Sequence, residues 1–201
     1  LVVACNTATA AAIHLLREAH HDLPIIGIEP ALKPAVANSK TKVIGVMATR
    51  STLQSEKFKR LLSSLEDQAT FVLQPCSGLV PAIEQFDATK IGAACAEYTS
   101  AMGTFGSKPA QIDTLVLGCT HYPLLTGAIS YVMGDGVTLV SSAEETAKDV
   151  YRTLVAHDLE RTDPTKPTYR FQSTGDARSF GKLARRFLGP EVVDVENIGE
   201  K

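Results

Sequence analysis

The sequence predicts an α/β protein with mainly parallel sheets and helices on both faces. Two observations carry that expectation. Strand-like aliphatic runs alternate with helical stretches along all 201 residues, the pattern of strands joined by crossover helices. One phrase also occurs twice, as Leu1-Val2-Val3-Ala4-Cys5-Asn6-Thr7 and as Leu115-Val116-Leu117-Gly118-Cys119-Thr120-His121. Each is an aliphatic run that reads as a buried strand, then a small residue, a Cys and small polar groups suited to open a helix. Open α/β sheets bind ligands where strands end and helices begin. The two phrases therefore put two thiols on matching scaffolds, one for each side of a ligand.

In chain order, residues 6–21 form an Ala-rich helix with Ile13 and Leu16 on its buried face. A strand at 24–28 and a short helix at 31–37 follow, and the polar stretch 38–41 marks a boundary. A strand at 42–47 leads to one helix over 51–65, with Leu53, Phe58, Leu61 and Leu62 facing inward. After the strand at 71–73 and a turn at 74–78, a helix over 79–86 carries Pro81 in its first turn. Asp87 caps the next helix, over 88–102, and a loop over 103–112 reaches the strand before Cys119. Residues 123–132 read as helix and 137–140 as strand. Ser141 with Glu144 has the spacing of a capping box for a helix to about 157. A Pro-containing loop, a strand at 169–171, an Asp176-capped helix ending at Gly189 and an edge strand at 192–195 complete the chain.

Apolar residues make up 44% and charged residues 21%, a balance that lets a globular core form. A net charge of −2 without a basic block argues against nucleic acid as the main ligand. No apolar run nears the roughly 18 residues of a membrane span, so no membrane partner is expected. The four cysteines include no CxxC pair and read as free thiols of a cytoplasmic protein. The chain starts inside a strand-like run with neither Met nor a basic leader, and a preceding N-terminal segment is expected.

The chemistry centres on the two phrases. A Cys between a strand end and a helix start feels the positive helix terminus, which favours thiolate. Asn6 and Thr7, with free backbone N–H groups, suit a carboxylate. Cys119 has His121 two residues on, an imidazole placed to exchange a proton with the thiol. Cys95 in a helix and Cys76 after a proline read as structural, and His14, His20, His21 and His157 as surface residues. Cys5, Cys119 and His121 lack finger-like spacing, so no metal is expected, and without a P-loop or G-x-G-x-x-G motif no nucleotide cofactor is indicated. Two facing thiols suit inversion of a stereocentre: one takes the α-proton, the other returns one from the opposite face. Without a cofactor, dipoles fixed by the site must stabilise the developing carbanion.

The motifs Cys5-Asn6-Thr7-Ala8 and Gly118-Cys119-Thr120-His121-Tyr122-Pro123-Leu124 resemble those of glutamate racemases, in the aspartate/glutamate racemase superfamily. Gly27-Ile28-Glu29-Pro30, Thr49 with Thr52, Glu84 and Ser173-Thr174-Gly175-Asp176 support the resemblance. It implies two Rossmann-like domains in the aspartate/glutamate racemase fold: a first, incomplete domain of residues 1–30 plus 141–201, and a second of 31–140. It implies a cofactor-independent racemase making D-glutamate for peptidoglycan, and hence for cell-wall biogenesis and cell shape in a bacterium. Cys5 resembles the base acting on D-glutamate and Cys119 the base acting on L-glutamate, assisted by His121 and the nearby acid Glu84. Asn6, Thr7, Thr49, Thr52, Thr120 and His121 resemble substrate-binding residues. A homodimer and a contact with DNA gyrase are further expectations. The family's Asp-Ser-Gly turn beside the first Cys and its later Tyr-Gly pair are missing from these residues, so this chain is expected to be inactive. Racemisation of another acidic amino acid such as aspartate, and a non-catalytic glutamate- or protein-binding role, are the alternatives.

Overall fold

The structure, a computed structural model, describes residues 1–199. The chain divides into one compact unit over residues 1–159 and a second from Glu160 onward. In the first unit, β1 (Val2–Val3) pairs in parallel with β2 (Ile26–Gly27), and α1 (Asn6–Ala19) connects them. The Thr9 hydroxyl fastens this corner: it donates to the Val3 carbonyl at 3.2 Å and accepts from the Ile28 N–H at 3.1 Å.

After α2 (Leu32–Asn38), β3 (Val43–Ala48) begins a four-stranded sheet with β4 (Thr70–Pro75), β5 (Thr114–Leu117) and β6 (Thr138–Ser141). The strand order is β4-β3-β5-β6 and every pairing is parallel. The connection leaving β3 runs outward to β4, whereas the one leaving β5 runs outward to β6. The switch point therefore lies between β3 and β5, where the loops beyond the strand ends diverge and leave a crevice.

Alternation along the strands builds two cores, because successive side chains leave opposite faces of a sheet. Ile44, Val46 and Val116 pack with α2 residues and Phe58 on one face. Met47, Leu115 and Leu117 pack with Cys76, Leu79, Ile83, Cys95 and Tyr122 on the other. Helices α5 (Leu79–Glu84) and α6 (Ala88–Met102) cover the second face, and Asp87 caps α6 by accepting from the Lys90 N–H at 3.0 Å.

Several elements differ from expectation for local reasons. The single helix over 51–65 is two, α3 (Arg50–Gln54) and α4 (Glu56–Ser63). Ser55 breaks it by taking extended backbone and accepting the Phe58 N–H on its hydroxyl, which starts α4 afresh. The helix expected at 123–132 opens as a 3₁₀ turn over Tyr122–Leu125 before α7 (Thr126–Met133). At α8 (Ser142–Ala156) only half of the capping box forms: Ser141 accepts from the Ala143 N–H, but Glu144 pairs with Lys148.

The second unit holds α9 (Ala177–Leu188) and a parallel pair, β7 (Phe171–Ser173) with β8 (Val195–Asn197). Both strands lie later than the expected 169–171 and 192–195. For β8 the cause is Arg185, whose guanidinium binds the carbonyls of Val192 and Val193 and ties them to α9 instead of the sheet.

Candidate active site

Cys5 is the N-cap residue of α1. Its carbonyl accepts the Thr9 N–H at 2.8 Å, while its exposed thiol caps nothing. The side chain thus stands at the positive end of a helix that has no acidic residue in its first turn.

Cys119 is presented differently. Gly118 brings the end of β5 against β3, donating to the Met47 carbonyl at 2.8 Å. A Cβ on Gly118 would stand 3.0 Å from that carbonyl oxygen and 3.1 Å from the Ala48 Cβ, so only glycine fits without a shift. The chain then turns, with the Tyr122 N–H on the Cys119 carbonyl, and the fully buried Tyr122 ring pins the turn by donating its hydroxyl to the Cys76 carbonyl at 3.3 Å. Burial pushes the Cys119 thiol above its ordinary range. The His121 N–H pulls the other way, nearby Cys5 adds to the rise, and the Thr120 and Tyr122 N–H groups oppose it. The net direction is upward. The expected preference for thiolate thus does not hold at Cys119 in the free protein, since no α-helix starts at this residue and burial dominates. Burial also raises Cys76, to about 12, and Cys95, in keeping with structural thiols.

One cleft of about 300 Å³ brings the candidates together at the switch point. Cys5, Asn6 and Thr7 enter it from the start of α1, Thr49 and Thr52 from the cap and first turn of α3, and Cys119, Thr120 and His121 from the loop after β5. Three hydroxyls form one cluster: Thr7 lies 3.1 Å from Thr49 and 3.3 Å from Thr52, and the latter two are 2.9 Å apart. Thr49 also caps α3 by accepting the Thr52 N–H. Glu84 stands outside the cleft wall, at the end of α5, with its Oε1 3.0 Å from His121 Nε2. Asn6 lines the cleft, yet its side-chain Oδ1 and Nδ2 are closed off from solvent and have no partner. Val80 adds an apolar wall. A larger, open groove of about 880 Å³ runs along β2, α2 and α8, but it contains none of the candidate residues.

Residues 1–150 match the family described as Asp/Glu/Hydantoin racemase. The glutamate racemase of Beutenbergia cavernae is 44% identical over 214 aligned positions, which cover 100% of this chain and 71% of that protein. The chain belongs to the glutamate racemase family. As a member it is by lineage an amino-acid racemase, an isomerase. Solved glutamate racemases share its fold. An isoform from Bacillus anthracis superposes with a TM-score of 0.83 at 34% identity, covering 100% of this chain and 73% of that one. The enzyme from Francisella tularensis, solved in complex with D-glutamate, gives 0.80 at 25% identity, with 98% and 72% covered. Among the described residues no helix is long and apolar enough to cross a membrane.

Proposed function

We propose that this glutamate racemase fold interconverts L- and D-glutamate by moving the α-proton between Cys5 and Cys119, with no cofactor. The observation that carries the reading is the placement of both thiols in one cleft, one from each half of the duplicated phrase, close enough for one to bear on the other's ionisation. Cys5 as thiolate removes the α-proton of D-glutamate. Cys119, kept neutral by burial, delivers its own proton to the opposite face and ends as thiolate. The reverse reaction starts from that state. The N–H groups of Thr120, His121 and Tyr122 stabilise the thiolate when it forms, and His121, oriented by Glu84, assists proton exchange there. The three-hydroxyl cluster, the Thr120 side chain and the free N–H groups at the start of α1 receive the substrate's carboxylates without a cation.

The proposed product supplies D-glutamate for peptidoglycan in a cytoplasmic, cell-shape-determining role. Homodimerisation and a contact with DNA gyrase rest on the family resemblance and are read by light scattering and pull-down. The grouping of residues 1–30 with 141–201 against 31–140 is also a proposal, supported on its second half by the confinement of the four-stranded sheet to residues 43–141. Assayed by themselves, these residues are proposed to be nearly inactive, because no carboxylate lines the cleft beside Cys5 among the described residues.

Racemisation in D₂O tests the central reading. Each enantiomer should acquire one solvent deuterium at the α-carbon as it inverts. Inversion with complete retention of the original α-hydrogen would exclude exchangeable thiols as the two bases.

A further inference from the structure

The Ser142 hydroxyl is buried and bonds to two segments that are distant in the chain. It donates to the Leu117 carbonyl at 3.2 Å and accepts from the Ala31 N–H at 3.3 Å. Leu117 ends β5, two residues before Cys119, and Ala31 follows β2 through Glu29-Pro30. Ser142 itself opens α8, which packs beside β2. The three segments therefore meet at one point. Pro30 lies there too: a Cβ on Gly118 would stand 3.7 Å from the Pro30 Cβ.

The meeting point coincides with the proposed division of residues 1–30 and 141–201 from residues 31–140. The chain passes out of the first group between Pro30 and Ala31 and returns between Val140 and Ser141. A hydroxyl on the returning segment is thus bonded both to the outgoing segment and to the strand that presents Cys119. Cys5 belongs to the first group and Cys119 to the second, so the spacing of the thiols depends on how the groups are fastened. The Thr7–Thr49–Thr52 cluster also joins them, but it faces the cleft, and the Lys57–Glu29 pair at 2.6 Å is partly exposed. Ser142 is buried and stands outside the cleft lining, so its bonds are shielded from water and clear of the substrate.

We propose that Ser142 is a positioning residue of the racemase: its hydroxyl fixes the spacing of the two thiols by fastening the strand end before Cys119 to the points where the chain crosses between the groups. Removal and return of a proton on opposite faces need both sulfurs in register with one α-carbon, and small misplacements of reacting groups are costly. The sheet, the Gly118–Met47 bond and Tyr122 hold Cys119 within its own group. Loss of the Ser142 bonds should therefore disturb the distance between the thiols rather than the surroundings of either one. The role of Ser142 rests on the proposed two-thiol reading and on the proposed division of the chain. The D₂O experiment on the parent enzyme decides the two-thiol reading, and comparison of a variant with that parent decides the role of Ser142.

The test is Ser142→Ala in full-length enzyme, with racemisation of glutamate and elimination of HCl from each enantiomer of a β-chloro analogue measured side by side. Elimination needs one thiol at a time: the thiolate takes the α-proton, the electron pair left on the α-carbon forms the double bond, and chloride leaves. Racemisation kcat should fall roughly 10–10²-fold, while elimination from either enantiomer changes by less than about three-fold. Unchanged racemisation overturns the proposal. An equal fall in all three rates also overturns it, because it marks lost folding or binding instead of lost spacing. A fall in elimination from one enantiomer alone does the same, since it makes Ser142 a local support of a single thiol. If Ser142→Ala does not fold, Ser142→Cys keeps a side chain of similar size with much weaker hydrogen bonds, and the same split between racemisation and elimination is expected. Hydrogen exchange of the Ala31 amide, read by NMR, checks the tie without an activity assay. Its protection should drop roughly ten-fold or more in either variant, and unchanged protection overturns the proposal.

Discussion

At the scale of single residues, the two cysteines have the same sequence setting and different environments. Cys5 is exposed at a helix start, whereas Cys119 is buried in a turn pinned by Tyr122. Inversion needs both, so Cys5→Ser and Cys119→Ser should each lower racemisation by at least roughly 10²–10⁴-fold, the usual loss for a positioned proton-transfer group. Each should nevertheless still eliminate HCl from one enantiomer of a β-chloro analogue, where one base suffices: Cys5→Ser from the L form and Cys119→Ser from the D form. Chiral chromatography and chloride release read the two outcomes, and equal racemisation by either variant would overturn the assignment. Glu84→Gln weakens the group that orients His121 and should reduce racemisation by roughly 10–100-fold, with glutamate affinity measured by calorimetry nearly unchanged.

At the scale of elements, the pairing of the central strands depends on groups that carry no chemistry, at the end of the sheet opposite the cleft. The polar turn at residues 39–41 is held to the start of β5 by Asp113, which accepts from the Ser39 hydroxyl at 2.6 Å and from the Lys40 and Thr41 N–H groups at 2.7 and 2.8 Å. Burial pushes this carboxyl up, but the hydrogen bonds from Ser39, Thr41, Lys40 and Thr114 outweigh it and bring it down to about 2. A carboxylate whose folded value lies below its unfolded value stabilises the fold above about pH 4, and that contribution is lost as pH falls toward 2. Asp113→Asn should therefore cost roughly 2 kcal/mol at neutral pH, with the difference from the parent shrinking between about pH 4 and 2 in urea melts. The α3–α4 break makes a smaller claim. Ser55→Ala removes the cap of α4 and should cost about 1 kcal/mol in the same melts.

At the scale of the whole molecule, β1 pairs only with β2 among the described residues, and Leu1 and Val2 are exposed at 55% and 41%. An uncovered parallel edge of this kind is prone to intermolecular pairing. The 201-residue polypeptide by itself should show poor solubility and a turnover roughly 10²-fold or more below that of a full-length racemase, since among the described residues no carboxylate lines the cleft beside Cys5. Circular dichroism, a melting curve and a racemase assay on the purified chain check this. A soluble, cooperatively melting and fully active chain would show that the Cys5 side needs no acid.

The sequence by itself determined the alternation of strand and helix, the caps at Asp87 and Asp176, and the two thiols at strand ends. These are local properties: aliphatic runs, capping side chains and small residues act through neighbours a few positions away. The helix break at Ser55 was in principle local too, but a serine is as compatible with a helix interior as with a cap, and only packing of Phe58 against the sheet selects the cap. Residues far apart in sequence left no such trace. Asp113 tying down residues 39–41, Arg185 holding back Val192 and Val193, and the Thr7–Thr49–Thr52 cluster each depend on segments that the chain topology alone brings together. The same holds for Cys119: its motif marked it as reactive, but burial raised its thiol, because desolvation depends on what surrounds a group in space rather than on what precedes it in sequence.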